Sequence, residues 1–169
     1  MDATEAILSR RSIRKYDKEP VSDGDVEALL NAAMHAPSAV NERPWHFVVI
    51  KDRKTLEAIS QISPTAPMVK YAPIAIVVCA DTTLEKFPGL WPLDCAAATE
   101  NILLAATARR LGAVWTAVYP FDERVEGVQK LLGLPAHIVP LCVVPVGHPA
   151  ETPAPVDRFD RACIHQEAW

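Results

Sequence analysis

The stretch that decides the fold is Ile74-Ala-Ile-Val-Val-Cys-Ala80, a continuous run of seven apolar residues. Four of the seven side chains are β-branched, and such side chains pack well on a pleated surface, so the run predicts a β-strand. A long apolar helix is predicted from Pro92 to Leu111, and Gly112 has the position of a glycine that ends a helix. Asp94 and Glu100 interrupt the apolar stretch, which indicates a buried core helix rather than a membrane span.

The other elements follow from capping residues and from the spacing of apolar residues. Asp2 followed by Glu5 predicts a short helix that runs to Ser9. Ser22 can cap a second helix, which must end before Pro37 because proline disfavours helical geometry in the residue preceding it. Further helices are predicted at 52–62 and 123–132, and further strands at 46–50, 114–119 and 141–146. This mixture predicts one α+β domain over residues 1–169, with a sheet of about four strands.

Composition and charge narrow the classes of partner. The chain has 17 Lys and Arg against 21 Asp and Glu, a net charge of -4, whereas nucleic acids and anionic membranes attract basic surfaces. We therefore expect neither as a partner. The four cysteines are far apart in the sequence and have no metal-ligand spacing, which favours buried thiols and a cytoplasmic location. The acidic N-terminus has no long apolar stretch and does not resemble a signal peptide.

The last 20 residues carry apolar side chains that need an apolar surface outside their own segment to pack against. They include Phe159, Ile164 and the terminal Trp169, but nearby prolines prevent a local helical core. Exchanged tails commonly build dimer interfaces. We therefore expect this C-terminal arm to extend onto a second subunit of a homodimer.

A basic segment, Arg10-Arg-Ser-Ile-Arg14-Lys15, is the first candidate site. A guanidinium group can bind two oxygens of a phosphate in a bidentate manner, and a serine hydroxyl adds a neutral donor. In an extended chain Arg10, Ser12 and Arg14 would point to one side, which suits a single phosphate group. The alternative is a solvated basic turn, or basic residues that complement the end of a helix.

A polar loop from Pro37 to Trp45 is the second candidate. Two prolines stiffen it, and Ser38 and Asn41 offer donors and acceptors. An amide such as that of Asn41 can pair in both directions with the pyrimidine edge of a flavin. The alternative is a rigid helix-to-strand connection, because turns favour serine and asparagine in any case.

The end of the chain is the third candidate, through His148, His165 and Arg158. No carboxylate or thiolate cluster accompanies the two histidines, so no metal site is expected. Arg158 could bind the same phosphate as the basic segment or pair with a neighbouring aspartate, and Arg161 is an alternative for that phosphate contact. The chain has no dinucleotide fingerprint, P-loop or nucleophile elbow. Its carboxylates look scattered, with no acid/base pair.

Together these stretches resemble the nitroreductase family of flavoenzymes, and the resemblance covers essentially the whole chain. The matching segments, in order, are Arg10-Arg-Ser-Ile-Arg14-Lys-Tyr16, Ala36-Pro-Ser38 with Asn41 and Pro44-Trp45, Asp94-Cys-Ala-Ala-Ala-Thr-Glu-Asn-Ile102, Gly112-Ala-Val-Trp115, Leu134-Pro135, Val146-Gly147-His148-Pro149, and Arg158-Phe-Asp160 with Ile164-His165 and Trp169. The resemblance implies an α+β sandwich dimer, with a mostly antiparallel central sheet flanked by helices and with extended C-terminal arms.

The resemblance also implies FMN as the cofactor and assigns residues to it. The phosphate would be held by Arg10, Ser12 and Arg14, with Arg11 nearby and Arg158 as a further ligand. The isoalloxazine ring would be lined from the opposite subunit by Pro37, Ser38, Ala39 and Asn41, and approached from the first subunit by Trp115 and by Gly147-His148.

The implied activity is a ping-pong transfer of hydride through flavin N5. NADH or NADPH would be the donor, and an electron-poor small molecule such as a nitroaromatic or a quinone the acceptor. Two departures from the family bear on the acceptor: Arg43 stands where many relatives have Gln, and the chain lacks the helical excursions of larger relatives. The alternatives are a different redox reaction, such as dehydrogenation or reductive removal of a substituent, and a non-catalytic flavin-binding or redox-sensing module.

Overall fold

The computed structural model describes residues 1–169, which form five helices and five strands. The helices are α1 (Ala3–Ser9), α2 (Asp23–Met34), α3 (Arg53–Ile62), α4 (Trp91–Ala108) and α5 (Asp122–Leu132). The strands are β1 (Trp45–Ile50), β2 (Ile74–Asp81), β3 (Gly112–Ala113), β4 (Thr116–Ala117) and β5 (Ile138–Gly147). Each helix predicted from the sequence is present, within a few residues of its expected bounds.

All five strands belong to one antiparallel sheet with β2 and β5 at its centre. β1 pairs with β2, and β3 and β4 both pair with the far side of β5. The single strand predicted at 114–119 is therefore wrong, because pairing is interrupted between β3 and β4. The register of the two short strands places Pro145 opposite the interruption, and proline has no N–H to donate to the ladder.

Helices cover both faces of the sheet. Alternate residues of β2, such as Ile76 and Val78, pack with α2 and α4 in a core cluster of 22 buried residues. The intervening residues, such as Val77 and Cys79, pack with α3 and α5 in a second cluster of 13. The period of two along a strand sends neighbouring side chains to opposite faces. This arrangement confirms the α+β sandwich and explains why the run at 74–80 is apolar at every position.

The helix starts follow the predicted caps, but the end of α4 does not. Side chains of Asp2 and Ser22 accept hydrogen bonds from the backbone N–H groups of Glu5 and Asp25, as N-caps do. At the end of α4 the left-handed residue is Arg110, with φ of 61°, and not Gly112. The role predicted for Gly112 as a helix terminator is therefore wrong, and this glycine begins β3.

Three of the four cysteines lie in the core and one lies in the arm. Cys79, Cys95 and Cys142 are buried and Cys163 is exposed, all as free thiols. Burial raises the pKa of both Cys79 and Cys142 to about 12, so their thiols are protonated at neutral pH. The expectation of buried thiols thus fits three of the four. No helix has both the length and the apolar composition needed to cross a membrane.

Candidate functional site

Three stretches that are distant in the sequence meet at one end of the sheet. The basic segment of residues 10–15 runs alongside β3 toward the residues that follow β5, and the N–H of Ile13 donates to the carbonyl of Ala113 at 3.0 Å. On the other side, the N–H of Asp17 donates to the carbonyl of His148, also at 3.0 Å. The structure therefore brings the predicted Arg10–Lys15 cluster beside the predicted Gly147-His148 turn.

Two glycines allow the backbone to approach this closely. A Cβ atom on Gly112 would lie 2.6 Å from Cγ2 of Ile13, and one on Gly147 would lie 2.6 Å from Cδ of Pro73 and 2.9 Å from Cδ1 of Tyr16. Gly112 and Gly147 face each other in the register of β3 and β5. Space for the basic segment, rather than helix termination, is therefore the structural reason for glycine at position 112.

The basic segment presents unpaired donors on one side. Ile13 is buried, so in this extended stretch Ser12 and Arg14 point the other way. The hydroxyl of Ser12 and the guanidinium of Arg14 make no hydrogen bond or ion pair within the chain, and Arg14 is exposed. Arg10 is half-buried, and its Nε lies 3.2 Å from Oε1 of Glu100 on α4. A free hydroxyl, a free guanidinium and a second guanidinium with one partner form a donor set that fits a phosphate group.

Arg11 is not part of this donor set. Its guanidinium donates to the carbonyl oxygens of Leu8 and Arg10, at 2.9 and 2.7 Å, and to that of Ala154 at 3.4 Å. It therefore neutralises the exposed carbonyls at the end of α1 and touches the start of the arm. The alternative interpretation of the basic cluster, cations that complement a helix end, holds for this one residue.

The arm leaves Arg158 and Arg161 in solvent. Both residues are exposed, and neither forms an ion pair with Asp157 or Asp160, since the four ion pairs of the chain lie elsewhere. The structure does not bring either residue to the basic segment of the same chain.

The polar loop is held in an unusual backbone conformation. It contains a 3₁₀ turn at Ala39–Asn41, and Val40, Asn41 and Arg43 have φ angles of 41°, 57° and 48°. The left-handed region costs an L-residue roughly 1–2 kcal/mol, and a β-branched residue such as Val40 is found there only when its surroundings impose it. Such strain is common at ligand-binding positions.

Two hydrogen bonds fix this turn, and its outer face is open. The Ser38 hydroxyl accepts from the N–H of Arg43 at 3.0 Å, and the N–H of Ala39 donates to Oδ1 of Asp94 on α4 at 2.8 Å. Pro37, Val40 and Asn41 are exposed. No hydrogen bond or ion pair joins this turn to the basic segment.

The remaining predicted residues are partly buried. Trp115 packs against the larger core cluster, and His148 is half-exposed with its Nε2 3.8 Å from Oε1 of Glu19. No group of three or more His, Cys, Asp or Glu side chains is arranged to hold a metal ion.

The structure contains a pair of buried carboxyl groups that was not predicted from the sequence. The carboxyl of Asp94 lies beside that of Glu42, close enough for Glu42 to raise its pKa, and the two residues are 5% and 8% exposed. The expectation that the carboxylates are scattered is therefore wrong at this position. Fifty-two positions separate the two residues, and only the packing of the polar turn on α4 brings them together, so no local pattern could have indicated the pair.

Burial is the main reason that the pKa of Asp94 is raised, and the neighbouring carboxyl groups of Glu42 and Glu85 raise it further. The hydrogen bond from the N–H of Ala39 acts in the opposite direction.

The fold and this site define a class: an α+β sandwich with a basic segment at one end of the sheet and a strained polar turn packed on α4. The Nitroreductase family model matches residues 7–75 and 63–148. The chain is also 53% identical over 169 residues to a protein of Methanothermobacter thermautotrophicus that is provisionally named NADH dehydrogenase/NAD(P)H nitroreductase. That match covers 100% of this chain and 88% of the relative.

Solved structures agree with the family match. A protein of Parabacteroides distasonis, with the same provisional name, superposes with a TM-score of 0.95 at 46% identity, over 99% of this chain and 98% of that one. A provisionally named nitroreductase of Desulfovibrio desulfuricans in complex with FMN gives 0.86 at 31% identity, over 100% and 98%. The chain belongs to the nitroreductase family.

Proposed function

We propose that this protein is an FMN-dependent NAD(P)H oxidoreductase that works as a homodimer, with each flavin held between two subunits. The observation that carries the proposal is the donor set at Arg10, Ser12 and Arg14, which is unpaired apart from the Arg10–Glu100 contact and suits a phosphate. The solved relative that binds FMN supports the same cofactor for this chain. Residues 1–169 form the single FMN-binding domain.

The phosphate of FMN is held by Arg10, Ser12 and Arg14. Arg11 stays at the end of α1, where it stiffens the start of the basic segment and does not touch the phosphate directly. The exposed Arg158, or Arg161 from the same arm, supplies a further cation once the arm is in place.

The ring of FMN lies against residues from both subunits. One subunit contributes Trp115 and the Gly147-His148 turn, and the other contributes its exposed turn of Pro37, Ser38, Ala39 and Asn41. Within one chain, no hydrogen bond or ion pair joins the two regions. Contacts of the turn with a ligand and a partner would offset the conformational strain of the backbone at Val40 and Asn41.

When bound, FMN supplies the redox chemistry, since its N5 can accept a hydride from NADH or NADPH and pass it on to an electron-poor acceptor such as a nitroaromatic or a quinone. Donor and acceptor bind in turn at the same position beside the flavin, as a ping-pong scheme requires. The residues of the chain bind and orient these ligands and exclude water from that position. Arg43 lies next to the turn, and its positive charge would stabilise the negative charge that the ring gains on reduction.

The arm and the body carry apolar surfaces that suit a dimer. In the arm, the side chain of Phe159 is 70% exposed and that of Trp169 fully so. On the body, Leu8 of α1 and Leu93 of α4 are 69% and 67% exposed. Exposed large apolar groups on both parts are typical of surfaces that are covered by a partner.

Reconstitution with FMN tests the proposal. Flavin-free protein titrated with FMN should bind one equivalent of flavin per chain. Under anaerobic conditions, NADH or NADPH should then reduce the bound flavin and remove its visible absorbance. Reoxidation against a panel of nitroaromatics and quinones then identifies the acceptor. Failure to bind FMN would overturn the proposal, and bound FMN that neither nucleotide reduces would favour a binding or sensing module instead.

Arg14→Ala should weaken FMN binding about tenfold to a hundredfold, because a charge-assisted hydrogen bond contributes roughly 1.5–3 kcal/mol. Lys15→Ala is the matched control, since this neighbouring cation points to the opposite side of the extended segment. Its dissociation constant for FMN, measured by fluorescence quenching, should stay within about twofold of the unchanged protein. Equal losses in the two variants would show that the segment acts only through its overall charge.

A further inference from the structure

Each carboxyl group of the buried Glu42–Asp94 pair has one oxygen with a partner and one without. Oε2 of Glu42 accepts from the N–H of Lys86 at 2.7 Å, and Oδ1 of Asp94 accepts from the N–H of Ala39 at 2.8 Å. Oε1 of Glu42 and Oδ2 of Asp94 are buried and have no donor. Buried polar atoms without a partner are costly, and two ionised carboxylates in contact repel each other.

The surroundings supply no cation to neutralise the pair. Glu85 faces it from the loop before α4 and is acidic itself, although its carboxylate is occupied by the N–H groups of Gly89, Leu90 and Trp91. Cys95 is the nearest titratable neighbour on α4, and burial keeps its pKa high and its thiol neutral. The ammonium of Lys86 is directed to the carbonyl oxygen of Val40 at 3.5 Å and forms no ion pair with either carboxyl.

We propose that Glu42 and Asp94 share a single proton between Oε1 and Oδ2, and that this proton fastens the polar turn to the start of α4. The shared proton gives both orphaned oxygens a partner and leaves one negative charge on the pair instead of two. Glu42 and Asp94 are positioning residues, because they hold Ser38–Asn41 and do not themselves reach the ligand. The inference rests on the proposed function, in which this turn lines the flavin.

The proton makes the turn sensitive to pH. Asp94, whose pKa is raised in the folded protein, keeps a proton that the unfolded chain releases near its ordinary pKa of about 4. Stability from the pair is therefore complete below that pH and is lost as pH rises through the raised pKa. When the proton leaves, the two carboxylates repel each other. This repulsion weakens the hydrogen bond from the N–H of Ala39 to Asp94, so the turn loosens.

Glu42→Gln tests this, because its amide can donate to Oδ2 of Asp94 in place of the proton. From pH 5 to pH 8 the unfolding constant of the flavin-free unchanged protein should rise, relative to the variant, about tenfold for each unit by which the raised pKa of Asp94 lies above 5. Asp94→Asn should behave in the same way, with its amide donating to Glu42. Glu126→Gln, at an exposed position on α5, is the control and should leave the pH profile unchanged.

Two further measurements separate the outcomes. Infrared difference spectra in H2O and D2O at neutral pH should show a protonated carboxyl band that is lost in both isosteric variants and kept in Glu126→Gln. FMN affinity should fall with rising pH more steeply in the unchanged protein than in Glu42→Gln. Parallel pH profiles and no carboxyl band would overturn the shared proton even if FMN binds normally, whereas failure to bind FMN at any pH would count against the proposed function alone.

Discussion

Truncation after Pro155 is expected to give a folded monomer that retains no FMN. The deletion removes residues 156–169, all of which are exposed, and keeps Glu151 and Ala154, which contact Arg14, Lys15 and Arg11. The body therefore loses none of its own buried contacts, but it loses the apolar arm that we assign to the partner. In the proposed dimer each flavin site draws on two subunits, so loss of the dimer would remove half of every site.

Sedimentation velocity and flavin absorbance measure the two parts of this expectation. Arg158→Ala in the full chain is the control, since it removes one of the two arginines proposed for the phosphate but leaves the apolar arm intact. It should remain dimeric and keep FMN with weakened affinity. A truncated protein that stays dimeric, or a monomer that still holds one FMN per chain, would contradict the shared site.

Gly147→Ala is expected to lower the free energy of unfolding by about 3 kcal/mol, near the upper end for overpacking in a tight contact. The added Cβ would lie 2.6 Å from Cδ of Pro73, and the proline ring cannot rotate away. On the other side it would meet the ring of Tyr16, whose hydroxyl is fixed by a 2.6 Å hydrogen bond to the carbonyl of Ile13. The strain therefore passes directly into the basic segment, and FMN affinity should fall as well.

Gly24→Ala provides the matched control, because this glycine lies in the exposed first turn of α2 and its Cβ would meet only Oγ of Ser22 at 3.9 Å. Alanine is the better helix former, so stability should rise by roughly 0.5–1 kcal/mol. Urea denaturation of both variants gives the comparison. If Gly147→Ala did not lower the free energy of unfolding, the close approach at the end of β5 would have no energetic importance.

The sequence predicts those parts of the molecule that depend on neighbouring residues. The caps at Asp2 and Ser22 and the strand at 74–80 follow from local chemistry, and each is found where expected. The end of α4 was misjudged because a glycine after a helix has two possible reasons, and only the packing of Ile13 shows which applies. The break between β3 and β4 likewise depends on a proline in another strand.

The same limit explains what the sequence could and could not say about the candidate site. Alternation along the basic segment correctly separates Ile13 from Ser12 and Arg14, but it cannot show that the guanidinium of Arg11 is used by the end of α1. The Glu42–Asp94 pair depends on a turn folding back onto a helix, which has no signature in the order of residues. Roles for the individual FMN ligands rest on the family resemblance and await the variants proposed above.

The buried thiols have a consequence for the acceptors proposed for this enzyme. Quinones and the reduction products of nitroaromatics are electrophiles that are attacked by thiolates rather than by protonated thiols. With the pKa of Cys79 and Cys142 near 12 and both side chains inaccessible, the core offers such compounds no nucleophile. Cys163, in the arm, is exposed in the single chain. In the proposed reaction, reactive acceptors and their products would therefore leave the buried thiols of the interior unmodified.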